Sequence, residues 1–159
     1  VGGKRVVAGV ELSARWEVVH NSPETLATLC PGAGLISSAG ALARFYELLL
    51  EGGRGLIKPE TIRTYTTLQT SGFDRSNNLP LRIGRGFLLG SMMPSLYGWV
   101  GTSTCYGHAG AFCTVAGADP ELGIAFAYVT NANRGPYDLL GRSAPLWGLA
   151  RKLASKSKS

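Results

Sequence analysis

The sequence is short of charge, of cysteine and of long apolar runs, and each shortage removes a class of protein. Only 16% of its 159 residues are charged while 45% are hydrophobic, the reverse of a solvated, disordered chain. One domain over residues 1–159 is expected, long enough to bury a core. No stretch approaches the roughly 18 apolar residues of a membrane-spanning helix, and the opening Val1-Gly2-Gly3-Lys4-Arg5-Val6-Val7 carries no apolar secretory block. No membrane partner is therefore expected. The first residue is not Met, which points to a processed or truncated chain and leaves the compartment open, with the cytoplasm favoured. Three cysteines, Cys30, Cys105 and Cys113, fit no metal or redox spacing and cannot all pair within one chain, so they read as buried thiols, with no metal and no cofactor. Acidic residues are scarcer than basic ones, 10 against 16, for a net charge of +6. The basic residues are nevertheless dispersed, among them Arg15, Arg44, Arg63, Arg85 and Arg134, so no nucleic-acid surface is expected. Arg151, Lys152, Lys156 and Lys158 complement a helix C-terminus and run into a flexible polar tail over 155–159.

What is present divides into helices and strands. Asn21 or Ser22 caps a short helix with Pro23 at its first position, running to about Leu29. Ser37 or Ser38 caps a second from about Ala39 to Glu51, in which Leu42, Phe45, Tyr46 and Leu49 recur at helical spacing and Gly52-Gly53 gives the stop. A third starts at Pro59 with Glu60 in its first turn, but with Lys58 where a capping side chain would stand. Phe73 to Pro80 reads as loop and Ile83 to Leu89 as a strand. The last helix is expected from about Ser143 to Ala154, with Pro145 in its first turn and Leu146, Leu149, Ala150 and Leu153 as its buried stripe.

Tyr106 to Asn131 is the most informative stretch. Two apolar runs, Cys113 to Ala118 and Ile124 to Thr130, flank Asp119-Pro120-Glu121-Leu122-Gly123, which predicts an antiparallel hairpin. On its second strand Ile124, Phe126 and Tyr128 alternate with Ala125, Ala127 and Val129, so both faces are apolar and a helical layer is expected over each. Just before the hairpin stands a lone His among small residues, Tyr106-Gly107-His108-Ala109-Gly110.

Read together, these segments resemble the serine β-lactamase-like hydrolases: class C β-lactamases, related esterases and D-Ala-D-Ala carboxypeptidases. Gly32-Ala33-Gly34-Leu35-Ile36-Ser37-Ser38 is similar to that family's Gly-Gly-Leu-x-Ser-Thr turn. Leu56-Ile57-Lys58-Pro59-Glu60-Thr61-Ile62 is similar to its Leu-Leu-Ser-Pro-Glu-Thr-Val helix start, and Gly84-Arg85-Gly86-Phe87 to a Tyr-Gly-Leu-Gly-Trp strand. Tyr106-Gly107-His108-Ala109-Gly110 falls on Phe-Gly-His-x-Gly, at the place where many β-lactamases carry Lys-Thr-Gly. The resemblance implies an α/β (α+β) fold, a small antiparallel sheet flanked by helices, the C-terminal half of the β-lactamase/transpeptidase-like fold. It also implies site roles. His108 faces the substrate as a hydrogen-bond or proton-transfer group. Gly110 lets substrate approach the strand edge, and the backbone N–H of Ala111 serves as one oxyanion donor.

The family's nucleophile motif, Ser-x-x-Lys, occurs only as Ser155-Lys156-Ser157-Lys158 in the polar tail, and the second motif only as the bare spelling Ser76-Asn77-Asn78 in a polar segment. Neither reads as a working element. Phe112 and Cys113 stand where relatives carry small residues and narrow the cleft. The expected function is therefore the C-terminal part of a serine hydrolase for ester or β-lactam amide bonds, binding a small-molecule acyl substrate or analogue and inactive alone. The alternative is a non-catalytic small-molecule-binding or protein-interaction module that keeps part of the fold. The resemblance further implies an uncovered edge at Ile124 to Thr130, so homo-oligomerisation or pairing with a missing N-terminal segment through that strand is expected, replacement pairing by Val6 to Val10 being a third possibility.

Overall fold

A computed structural model describes residues 5–7, 10–12, 22–28, 32, 35–75, 78–92, 95–99, 102–110, 114–130 and 136–157. Its centre is a six-stranded antiparallel sheet in sequence order: β3 (Thr70–Asp74), β4 (Leu79–Ile83), β5 (Leu88–Leu89), β6 (Tyr106–Gly110), β7 (Thr114–Asp119) and β8 (Ile124–Tyr128). A separate ribbon joins β1 (Arg5–Val7) to β2 (Val10–Leu12). Four helices complete the described elements: α1 (Pro23–Ala27), α2 (Ala39–Leu50), α3 (Pro59–Thr66) and α4 (Pro136–Ser157). This is the α+β architecture expected from the sequence.

The helix starts follow the capping residues. Ser22 Oγ accepts from Thr25 N, and Ser38 Oγ accepts from Ala41 N, both at 3.2 Å, so each satisfies one of the amides that a first turn leaves without a partner. Lys58 makes no such bond at the start of α3. The glycine stop after α2 is stricter than a composition signal: Gly53 has φ +85° and bonds Leu48 O at 2.8 Å, and a Cβ there would lie 1.9 Å from Ile57 O.

Strand alternation builds two cores on opposite faces of the sheet. Tyr46 and Leu49 of α2 pack with Tyr106, Ala116 and Ala118, with Phe87, Leu89, Ala125 and Ala127 at the margin. On the other face Trp147 of α4 packs with Tyr97 and Cys105 and meets Phe126 edge-on, ring centroids 4.8 Å apart. Helices therefore cover β8 on both faces. Along its length the strand has a neighbour on one side only among the described residues, namely β7. Val6 and Val7 pair with Glu11 and Val10 inside the β1–β2 ribbon rather than with β8.

Several local expectations need correction. The segment read as loop from Phe73 to Pro80 is a hairpin, with Phe73 opposite Pro80 and the left-handed Asn78 (φ 55°) in its turn. Pro80 is tolerated because β5 reaches β4 only at Ile83, so no ladder bond is demanded of the missing N–H on that side. The strand expected from Ile83 to Leu89 is interrupted by a turn in which Gly84 N bonds Phe87 O at 2.9 Å and Gly86 takes φ 81°. The last helix begins at Pro136, so Pro145 lies in its interior, four residues after Gly141. That glycine removes one side chain from the turn against which the proline ring presses.

The face of α4 was also misassigned. Leu146, Leu149 and Leu153 are 39%, 54% and 61% exposed, while Ser143, Ala144 and Trp147 are buried against the sheet. Hydrophobicity selected the wrong stripe because a large indole, two small residues and an ion pair fill the inner side.

Candidate functional site

β6 carries the motif at the end of a strand that changes character along its length. Tyr106 and Gly107 are buried; His108 and Gly110 are exposed. The reason is pairing. β7 accompanies β6 throughout, from Tyr106 opposite Ala118 to Gly110 opposite Thr114, whereas β5 reaches only Tyr106 and Gly107. From His108 onward, β6 has a sheet neighbour on one side only among the described residues. By alternation His108 and Gly110 share the face of Tyr106, beyond the aromatic group formed by Tyr106, Phe87 and Tyr46.

The His108 ring is held by its own strand. Nδ1 lies 2.8 Å from the carbonyl oxygen of Ala109, and a carbonyl only accepts, so the neutral ring carries its proton on Nδ1. Nε2 is then the basic nitrogen, and among the described residues it has no partner. An exposed imidazole in that tautomer accepts a proton or hydrogen bond at Nε2, and once protonated it donates there. The imidazole is therefore outside the packed interior, at the open end of the sheet.

Gly110 has a structural reason as well as the expected functional one. A Cβ there would lie 2.5 Å from Thr114 Oγ1 on the neighbouring strand. Gly107 is more tightly constrained, since its Cβ would meet Ala116 O at 2.1 Å and the Cα of Gly117, directly opposite, at 2.5 Å. The two strands approach so closely that β6 has little freedom to shift. Ala111, Phe112 and Cys113 lie outside the described residues, as do Ser76, Asn77 and Lys158. Ser155 lies near the end of α4, where its hydroxyl donates to Lys152 O at 2.9 Å.

Two supporting networks were not foreseen. Asp119, fully buried, ends β7: Arg151 Nε donates to its Oδ2 at 2.6 Å, while Thr104 Oγ1 and Glu121 N bond Oδ1 at 3.1 and 3.0 Å. Burial opposes its charge, but Arg151, Thr104 and the Leu122 amide outweigh burial and hold its carboxyl below the usual value. The only sequence signal was Asp at the head of a turn; its partner lies 32 residues away. In the β5–β6 connection, buried Thr102 donates to Ser91 O at 2.9 Å and pairs with Ser95 Oγ at 2.9 Å, and Tyr97 donates to Leu88 O at 2.7 Å. Burial pushes the Tyr46 and Tyr106 hydroxyls up to about 12, and in the second core it pushes the Cys105 thiol up to about 12, with Asp119 adding to it. Cys105 is thus a packed, protonated group. Among the described residues no cluster of His, Cys, Asp or Glu could hold a metal ion.

A twisted antiparallel sheet between helical layers, with a Gly-His-x-Gly strand opening at one end, defines the serine β-lactamase-like class. The chain belongs to the β-lactamase family, whose model matches residues 2–144. Three solved structures are similar to it. EstA from Arthrobacter nitroguajacolicus is 25% identical with a TM-score of 0.69, covering 89% of this chain and 38% of its own. A penicillin-binding protein homolog from Caulobacter crescentus is 28% identical with a TM-score of 0.57, over 70% and 32%. A β-lactamase from Mycobacterium bovis shares the fold at 21% identity and a TM-score of 0.63, over 74% and 44%. The chain thus spans 32% to 44% of the length of these structures. A comparison with curated proteins gave no match.

Proposed function

We propose that the open end of β6 forms one wall of an acyl-transfer site for a small-molecule ester or β-lactam amide, and that the nucleophile comes from outside these residues. The observation that carries this is the state of His108: exposed, fixed through Nδ1 on Ala109 O, and without a partner at Nε2 among the described residues. In this reading Nε2 hydrogen-bonds the acyl substrate or passes a proton, Gly110 keeps the strand edge accessible, and the Ala111 N–H is an oxyanion donor. Ser-x-x-Lys would be supplied by a segment upstream of those described. Without it, the chain binds and polarises but does not turn over.

A second reading, a non-catalytic binding module, draws support from the same sequence feature: the only Ser-x-x-Lys starts at Ser155, whose hydroxyl is spent on a helix carbonyl. Both readings are tested by incubating the chain with a fluorophosphonate probe and a chromogenic cephalosporin, then measuring intact mass and absorbance. No serine adduct and no turnover are expected. His108 resonances should nevertheless shift on addition of a non-covalent, non-hydrolysable acyl analogue; their failure to respond would remove the acyl-site reading and leave the other.

A further inference from the structure

One row of residues runs through all six strands of the sheet. Thr70, Ile83, Leu88, Gly107, Gly117 and Phe126 stand opposite one another in turn. Because β4 meets β5 only at Ile83 and Leu88, no other row among the described residues does so. The next row holds His108, Ala116 and Ala127, with no member from β5 among the described residues. His108 therefore sits immediately beyond the last complete row, and its place depends on that row staying closed.

Tyr97 braces the row from the α4 side. Its hydroxyl donates to Leu88 O at 2.7 Å, and its Cε1 comes within 3.2 Å of the point that a Gly117 Cβ would occupy. The ring thus reaches across β6, where Gly107 and Gly117 carry no side chain. Trp147 continues the contact to β8, with ring centroids 5.3 Å from Tyr97 and 4.8 Å from Phe126. The loop that delivers the ring is fixed as well. Tyr97 N donates to Ser95 Oγ at 3.2 Å, and Ser95 Oγ lies 2.9 Å from Oγ1 of the buried Thr102. Tyr97 is 1% exposed, so the arrangement belongs to the interior and owes nothing to an edge or an open face. A phenylalanine would fill nearly the same space; what the hydroxyl adds is a bond to the β5 carbonyl beside the opening.

We infer that Tyr97 is a positioning residue for His108. With Leu88 held, Gly107 stays paired and the peptide that joins it to His108 keeps its orientation. The imidazole depends on that orientation, since Nδ1 is bonded to the carbonyl of the following residue, Ala109. If the row opens at Leu88, the unpaired part of β6 lengthens, the Nδ1 bond is lost for part of the time, and Nε2 is no longer held in one place. What the fixed imidazole serves rests on the acyl-site reading; that Tyr97 fixes it does not.

Imidazole nitrogen NMR and amide exchange, both without ligand, test this on the chain as it stands. In the wild type the Gly107 amide should be strongly protected although β5 ends beside it. Tyr97→Phe keeps the ring and removes the hydroxyl. Exchange at Gly107 should then rise about tenfold, the scale of one neutral hydrogen bond, and the His108 ring nitrogens should move toward values averaged over both tautomers. Asp119→Asn, which weakens the other end of β7, serves as the comparison for simple loss of stability and should leave both signals in place. Unchanged nitrogen shifts in Tyr97→Phe overturn the inference. So does the same change in Asp119→Asn, since the hydroxyl is then a stabilising group and nothing more. A wild-type Gly107 amide that exchanges freely overturns it without any variant. None of these readouts involves an acyl analogue, so the acyl-site reading stands or falls separately.

Discussion

Arg151→Met should be among the most damaging conservative changes in the molecule. Met keeps the unbranched stem and removes the guanidinium, leaving the fully buried Asp119 carboxylate with Thr104, Glu121 and Leu122 but no counter-charge. Breaking a buried pair from one side costs on the order of 3–5 kcal/mol, because the remaining charge stays desolvated. Asp119→Asn should cost less, about 1–3 kcal/mol, since the amide oxygen still accepts from the turn. The pH dependence carries a defined sign. The folded state holds the Asp119 carboxyl below its ordinary value, so its contribution is complete above the unfolded pKa of about 4 and is lost as pH falls through the folded value. Urea unfolding followed by tryptophan emission, with Trp147 fully buried beside the network, should show a steeper acid loss of stability in the wild type than in Asp119→Asn. Equal midpoints for wild type and Arg151→Met at neutral pH, with identical acid limbs for wild type and Asp119→Asn, would refute the reasoning.

Gly107→Ala should destabilise by about 3 kcal/mol, since a Cβ at 2.1 Å from Ala116 O forces β6 and β7 apart; thermal unfolding measures it, and a loss under 0.5 kcal/mol would show that the strands separate easily. Imidazole nitrogen NMR should find neutral His108 predominantly as the Nδ1–H tautomer, whereas His108→Ala, at an exposed position, should change stability by less than about 0.5 kcal/mol. Ultraviolet titration should show Tyr46 and Tyr106 ionising only near pH 12, and Tyr97, raised by burial, well above the ordinary tyrosine value. Because the folded values are raised, their stabilising contribution is complete below about pH 10 and declines as pH rises through the folded values; three early-titrating tyrosines would mean that these rings are not packed as described.

Capping chemistry and the hairpin were legible because both are local. Ser22-Pro23, Ser38 and the Asp119–Gly123 turn each declare an element boundary within a few residues, and the structure places them there. The orientation of α4 was not legible. Its three leucines outscore Trp147 and Ala144 as a hydrophobic stripe, and only the position of Asp119 on a distant strand draws Arg151, and with it the other face, inward. The break between β4 and β5 was missed for a related reason: Ile83 to Leu89 reads as one strand, and only the bond from Gly84 N to Phe87 O shows the turn that leaves Leu88–Leu89 as a separate two-residue strand. The small residues around His108 marked a strand, and the structure has one there, β6. The tautomer and the exposed strand end depend on where β5 stops, which is a tertiary fact.

Gly107 and Gly117, face to face, leave a bare depression on the sheet, and the ring of Tyr97 is set against it, its Cε1 3.2 Å from where a Gly117 Cβ would be. Sliding β6 by one residue along β7 would put Tyr106 or His108 opposite Gly117 and bring a Cβ to a place where only hydrogen fits. The depression thus works as a keyway with the tyrosine as its key. Misaligned pairings jam, and the imidazole ends up at the one step of the ladder from which it can reach outward.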